Sequence, residues 1–228
     1  ADKIFGILEI GDVKQIDKKD AQELHALHIK NLSKSYGDRQ LFTHLNLDVQ
    51  AGQKVLIKGP SGCGKSTLFR LITGEEIADE GEIIGVTTVN ECTSSFVSSI
   101  GIINQHPFLF NDTVRYNLTL GQEFSEEELL AVLKQVKLDF ELTGGLDFII
   151  KNNGENISGG QRVRIELARF LLRRKNLLLA DEVTATLDKE NALMVRELLF
   201  SLPVMMLEIA HHIDDESRYQ QVVDLGKY

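Results

Sequence analysis

Nine residues, Gly59-Pro60-Ser61-Gly62-Cys63-Gly64-Lys65-Ser66-Thr67, narrow the folds open to this chain more than any other stretch. They fit the spacing G-x-x-x-x-G-K-[ST], in which the glycines let the backbone turn tightly and bring its N–H groups onto an anion. The helix that follows adds the positive end of its dipole. All nine residues are candidate phosphate contacts. Lys65 can reach the outer phosphates as a point charge, and the Ser66 hydroxyl is placed to ligate Mg²⁺. An ordinary glycine-rich turn needs no special neighbours, but this one has them. Gln53–Lys58 reads as a short strand with Val55, Leu56 and Ile57, and residues 66–73 read as a helix carrying Leu68, Leu71 and Ile72 on its inner face. Strand, loop and helix in that order commit the chain to an α/β layer.

The chain has 228 residues, enough for one good-sized core or a core with a small satellite. Its 43% hydrophobic and 26% charged residues are those of a globular protein. A net charge of −9 argues against a sequence-independent grip on nucleic acid, which needs a basic patch. Two cysteines, Cys63 and Cys92, make no disulfide framework, and one lies in the phosphate loop, so a reducing cytoplasm is the simpler setting. The longest mostly apolar run, Leu198–Leu207, is broken by Ser201 and Pro203 and is far too short to span a bilayer. Asp2, Lys3 and Glu9 stand where a signal peptide would be apolar. The chain begins at Ala1 without a methionine, which suits a processed product or a piece of something longer.

Residues 1–10 suit the tail of a helix, and 11–24 a polar linker. Leu27–Tyr36 and Leu41–Val49 alternate at the strand period, with Leu45, Leu47 and Val49 on one face. After the first helix, the acidic run Glu75–Glu82 reads as a solvated connection, and a strand pair is expected around Ile83–Val89 and Val97–Ile103. From Asn111 to about Gly145 the texture is helical. Ser125 and Glu128 form a capping box ahead of Leu129, Leu130, Leu133 and Val136, a packing helix. A loop from Lys151 to Gly160 leads to a helix over Gln161–Leu172 and a buried strand, Leu177–Ala180. Helix (Lys189–Phe200), strand (Val204–Ile209), helix and strand (Gln221–Leu225) complete a mostly parallel α/β pattern with a helical insert.

Two more motifs carry chemistry. An apolar strand ending in Asp181-Glu182 puts two acids at the carboxyl edge of the sheet, where α/β proteins bind ligands. Asp181 would hold Mg²⁺, through water, and Glu182, pointing differently, could polarise an attacking water. Alone, such a pair would more often cap a helix, but downstream of a phosphate loop the catalytic reading is favoured. Ile157-Ser158-Gly159-Gly160-Gln161, before a helix, repeats the combination of glycines and a hydroxyl at a helix N-terminus.

This last motif resembles the signature sequence of the ATP-binding-cassette (ABC) ATPases, with Ile157 where leucine is commonest. The resemblance runs from about Leu27 to the end of the chain. It implies a P-loop NTPase of α/β class: a RecA-like, mostly parallel core with an antiparallel β subdomain and a helical insert over approximately 108–170. Residues 25–228 would be the ABC ATPase domain, and 1–24 a tail from a membrane domain. It also implies roles for single residues. Tyr36 matches the aromatic residue that stacks on adenine, and Gln105 the glutamine that meets Mg²⁺ and water. Ser158, Gly159, Gly160 and Gln161 match the loop that contacts the nucleotide of the opposite subunit. Asp188, in Thr186-Leu187-Asp188, matches the loop that crosses to that subunit, with Thr186 where alanine is usual. His211 matches the switch histidine at the γ-phosphate. His212 is its rival by adjacency, though Ala210 before it favours His211.

Phe108–Leu118 is similar to the exporter pattern that opens the helical subdomain, and Ala1–Ile10 to the segment after the last transmembrane helix of a fused exporter. Asn152 stands where many exporters carry glutamate. The chain stops at Tyr228, before the helix that commonly closes the family's domain, so truncation at both ends is implied. As the resemblance has it, the chain binds ATP and Mg²⁺, pairs head-to-tail with a second ABC ATPase domain, and drives a transmembrane domain from the cytoplasmic face of the cell membrane, without nucleic acid. Lys65, Gln105, Glu182 and His211 would be its catalytic set. An importer or separate-subunit ATPase is the runner-up. A nucleic-acid-linked ABC ATPase would need a coiled-coil insert or two tandem cassettes with a basic linker. A small-molecule kinase sharing only the phosphate loop is disfavoured by Ser158–Gln161 and Glu182.

Overall fold

The computed structural model describes residues 23–88, 91–93, 95–138, 142–210, 213 and 215–228. Among the described residues two sheets pack against each other, and a second core lies on the far face of the parallel one. Strands β1 (Leu24–Tyr36), β2 (Arg39–Gln50), β4 (Glu80–Thr87) and β5 (Glu91–Cys92) form an antiparallel sheet in the order β2-β1-β4-β5. On β2 the buried residues are Phe42, Leu45, Leu47 and Val49, the last three at the expected alternation. Strands β3 (Lys54–Lys58), β6 (Ile100–Ile103), β7 (Leu177–Asp181), β8 (Met205–Ile209) and β9 (Gln221–Asp224) pair in parallel, in the order β6-β7-β8-β3-β9.

The central strands are apolar almost throughout because both faces of this sheet are covered. Leu56, Leu178, Ala180 and Met206 pack into the core shared with most of the helices. Val55, Ile57, Leu177, Leu179 and Leu207 face the other way, onto α1 (Lys65–Ile72) and the antiparallel sheet. Further helices are α2 (Val114–Thr119), α3 (Glu126–Gln135), α4 (Gly159–Leu172) and α5 (Lys189–Ser201). The Ser125–Glu128 capping box forms with both of its hydrogen bonds. No described helix is long and apolar enough to cross a membrane.

Several expectations change. The segments around Ile83 and Val97 do not pair with each other. β4 joins β1 and β5, whereas Ser95–Ser99 winds into a 3₁₀ turn and β6 lies beside β7 in the other sheet. Buried Phe96 sets this turn by packing on Gly85, where an added Cβ would stand 2.5 Å from its ring. Leu130 belongs to the solvent face of α3, 49% exposed, while Leu129, Val132 and Leu133 are buried. Between β8 and β9 the described residues hold only a 3₁₀ turn, Glu216–Arg218. The acidic run is not simply solvated, since β4 begins at Glu80 and Glu76 and Asp79 reach back to Lys34. Val89, His211, His212, the segment expected over residues 1–10 and all but the last two residues of the linker expected over 11–24 lie outside the described residues; that linker's last residue, Leu24, is instead the buried start of β1.

One buried acid has a consequence for stability. Glu208 on β8 is 1% exposed, accepts a hydrogen bond from the Tyr219 hydroxyl at 2.6 Å, and leaves Oε1 without a hydrogen-bond partner. Desolvation raises its pKa, against opposing contributions from the Tyr219 hydrogen bond and the Arg196 charge. A raised folded-state value means that the stabilising contribution is complete below the ordinary 4.5 and is lost as pH rises through the folded value. Glu208→Gln cannot ionise and keeps a carbonyl for Tyr219. It is therefore expected to melt higher than the parent at pH 8. Melting curves from pH 8 to pH 5 check this, because the gain should shrink as pH falls.

Candidate functional site

The parallel sheet directs the ends of β3, β6 and β7 to one edge, and the phosphate loop, Gln105 and the Asp181-Glu182 pair follow those ends. After β3 the chain turns through Gly59 and Gly64, with φ of 148° and 102°. A Cβ at Gly59 would lie 2.7 Å from Cys63 Sγ, and one at Gly64 would lie 3.0 Å from the Phe42 ring. Glycine is needed at both, for space and for backbone angle. Gly64 is the N-cap of α1 and supplies no side chain to satisfy its first N–H groups. The helix start is therefore left to an external anion or to water. Lys65 is 7% exposed and folds back over the loop, where Nζ donates to the carbonyls of Gly59 at 2.9 Å and Pro60 at 3.1 Å.

β7 brings the acids to the same place. Ser66 Oγ stands 3.5 Å from Asp181 Oδ2 across 115 residues of sequence. Glu182 follows at φ 50°, a left-handed conformation that costs a non-glycine residue about 1–3 kcal/mol. Its N–H donates to Ile209 O at 2.9 Å, and its carbonyl accepts from Ala185 N at 3.0 Å, so the turn is fixed at both ends. Glu182 also borders a cavity of about 440 Å³ beside α5, lined with Thr184, Lys189 and Arg196. Gln105 is half-buried two residues beyond β6. Tyr36 ends β1, 45% exposed, with its hydroxyl held by Glu76.

Ser158 caps α4 as a serine before Gly-Gly-Gln should. Its oxygen accepts from Gln161 N at 3.1 Å, and Gln161 Oε1 accepts from Ser158 N at 2.9 Å. Acting as an acceptor leaves the Ser158 O–H free to serve as a donor, so capping and anion binding are compatible. Gly159 and Gly160 lie under the start of α5. Added Cβ atoms there would meet Leu187 at 2.8 Å and Asn191 at 2.3 Å. Asp188 caps α5, and the backbone and side-chain N–H groups of Asn191 hold its carboxyl below the usual carboxylate range. The Ser158 and Asp188 loops are thus packed together within one chain.

Sequence reasoning missed Asn191 in this packing. Its spacing from Asp188, three residues, was the available signal. It also missed Glu76, read as solvated, and the buried pair Asn117 and Arg169, which ties α2 to α4.

A parallel sheet whose phosphate loop, serine hydroxyl and strand-end aspartate converge on one edge defines an α/β nucleotide-binding ATPase domain. The family model for the ABC transporter matches residues 42–185, and the chain belongs to that family. The ATP-dependent lipid A-core flippase of Francisella tularensis subsp. holarctica (strain OSU18) is 36% identical over 230 residues, covering 96% of this chain and 38% of the flippase. That of Desulfotalea psychrophila is 37% identical over 239 residues, covering 100% of this chain and 42% of the relative. Among solved structures, a bacterial Atm1-family ABC exporter with ATP bound matches with a TM-score of 0.75 at 30% identity, over 91% of this chain and 39% of that one. The chain thus spans about two fifths of the length of the relatives it matches and is homologous to the ATP-binding part of exporters.

Proposed function

We propose that this chain hydrolyses ATP to drive an ABC exporter, working at the cytoplasmic face of a membrane on a transmembrane domain to which residues 1–24 lead. Residues 25–228 form its ATPase domain, with a helical subdomain at about 108–170. The observation that carries the reading is the 3.5 Å approach of Ser66 to Asp181 at the mouth of the phosphate loop. Phosphates lie in the Gly59–Thr67 loop with Lys65 beside them, and Tyr36 stacks on the base. Ser66, Asp181 and Gln105 would hold Mg²⁺, an all-oxygen donor set of the hard kind this ion takes. When bound, Mg²⁺ screens charge on the phosphate oxygens.

Glu182 takes a proton from the water that attacks the γ-phosphorus in line, and His211 orients the γ-phosphate. ADP leaves as the bond to its β-phosphate oxygen breaks. One chain offers one phosphate loop and one Ser158 loop. The Ser158–Gln161 loop of a second ABC ATPase domain therefore closes the site head-to-tail, with Asp188 at the crossing. A lone exposed helix end is worth only about 0.3–1 kcal/mol, so these donors matter once closure excludes water. Support for a membrane partner comes from an exposed aromatic ledge. Phe108 (61% exposed) meets Phe110 edge-on at 5.1 Å, and Phe110 meets Tyr116 at 5.7 Å.

Phosphate release by the protein should require Mg²⁺, fall to background with EDTA, and return when the ion is restored. Specific activity should rise with protein concentration as pairs form. Activity strictly proportional to protein from nanomolar to micromolar, with no pairing by light scattering, would remove the composite site.

A further inference from the structure

Tyr36 is exposed, yet charged side chains from three segments converge on it. Its hydroxyl donates to Glu76 Oε2 at 2.5 Å and lies 3.5 Å from Arg70 Nη2. Glu76 also pairs with Lys34 Nζ at 3.3 Å and Arg70 Nε at 3.7 Å. The Lys34 ammonium stands 5.3 Å from the centre of the Tyr36 ring. Lys34 is itself fixed, donating to Ile77 O at 2.8 Å and Asp79 Oδ1 at 3.4 Å. Arg70 returns to the phosphate-loop helix, donating to Thr67 Oγ1 at 3.3 Å.

The side chains of Lys34 and Glu76 are shielded, 11% and 19% exposed, while Tyr36 remains 45% exposed. A tyrosine at a strand end gains little for the fold by being held this way. What the arrangement does is restrict the ring. The charge-assisted bond at its hydroxyl stops it swinging, and the ammonium favours one face, leaving the opposite face for a ligand. The Tyr36 hydroxyl, ahead of Lys34 and Arg70, holds the Glu76 carboxyl below the usual carboxylate range against an opposing desolvation.

Resting on the reading in which Tyr36 stacks on the base, we propose that Glu76, supported by Lys34 and Arg70, is a positioning residue. It holds the Tyr36 ring as a one-faced platform for the purine of ATP and links that platform to the phosphate loop through Thr67. Binding then does not have to immobilise a free side chain, an ordering cost equivalent to about two- to tenfold in affinity.

Titration calorimetry with Mg·ATP tests this. Tyr36→Phe, which keeps the ring, and Glu76→Ala are each expected to raise Kd about fivefold. The double variant should bind no more weakly than the weaker single one, because both changes break one link. Glu76→Gln, which retains an acceptor for the hydroxyl, should recover most of the affinity. Unchanged Kd in Tyr36→Phe, effects that multiply in the double variant, or a Glu76→Gln no better than Glu76→Ala would each overturn the positioning role. If Glu76→Ala does not fold, Tyr36→Phe and Glu76→Gln still decide, since Phe should lose affinity and Gln keep most of it. Tyr36→Ala separates the two levels. Parent-like affinity there would end the stacking reading and the positioning with it, whereas weakened binding with a normal Tyr36→Phe would end the positioning alone.

Discussion

Glu182→Gln is expected to lower ATP turnover by about 10²–10⁴-fold, the range spanned by general-base catalysis, with Mg·ATP binding within twofold of the parent. Gln has the size of Glu and tolerates the same backbone, so the left-handed turn at φ 50° and the bond from its N–H to Ile209 O should survive. What is lost is a proton acceptor one residue beyond the Asp181 that faces Ser66. Because binding and closure do not need that acceptor, the variant should accumulate as an ATP-bound pair, seen as a doubled mass in size exclusion with light scattering. Turnover within tenfold of the parent would remove Glu182 from the role. Failure to pair despite lost turnover would leave Glu182 as base but undo closure by a second domain.

Much of this site could be read from the sequence because its parts are local. A phosphate loop needs a strand before it and a helix after it within about fifteen residues, and an apolar strand with two acids after it has one sensible place in a sheet. Caps are equally local: Ser125 with Glu128 and Ser158 with Gln161 each close over three residues, as does the unread pair Asp188 and Asn191.

What escaped depends on partners far along the chain. Nothing in Ile83–Ile103 says that β4 belongs with β1 and β6 with β7. Register with strands more than 40 residues away decides it. Glu76 looked solvated because the Tyr36 hydroxyl and Lys34 that engage it lie 40 and 42 positions earlier. Helical periodicity put Leu130 in the core with Leu129 and Leu133, but the packed stripe of α3 is narrower than the apolar one. Amphipathic pattern records what could be buried, and packing decides what is.

The same logic makes Arg169→Leu the substitution expected to cost most stability. On α4, 7% exposed, Arg169 uses its whole guanidinium. Nε donates to Asn117 O at 2.5 Å, Nη1 to Phe108 O at 2.8 Å and Glu166 Oε2 at 2.5 Å, and Nη2 to Asn117 Oδ1 at 2.9 Å. Asn117, fully buried, in turn accepts from Phe110 N and donates to the carbonyls of Phe110, Asp112 and Thr113. One planar cation thus fastens the segment from Phe108 into α2, with its aromatic ledge, to α4, the helix that Ser158 caps. Leucine would leave the backbone carbonyls of Phe108 and Asn117, the Asn117 side-chain carbonyl and the Glu166 carboxylate without that donor. Removing one partner of such a buried charged network costs about 3–5 kcal/mol, and for a chain of this size that is roughly a 10 °C lower Tm. Arg169→Lys, with a point charge in place of the fork, should fall between the two. Thermal melts of both variants check this. A loss under about 1 kcal/mol for Leu would mean that the apolar contacts of α2 and α4 hold the segment without the arginine. The network is built from side chains and carbonyls remote in sequence from the phosphate loop. Mg·ATP affinity of the folded variant should therefore stay near that of the parent while its melting point falls, a separation that a general weakening of the fold around Lys65 would not give.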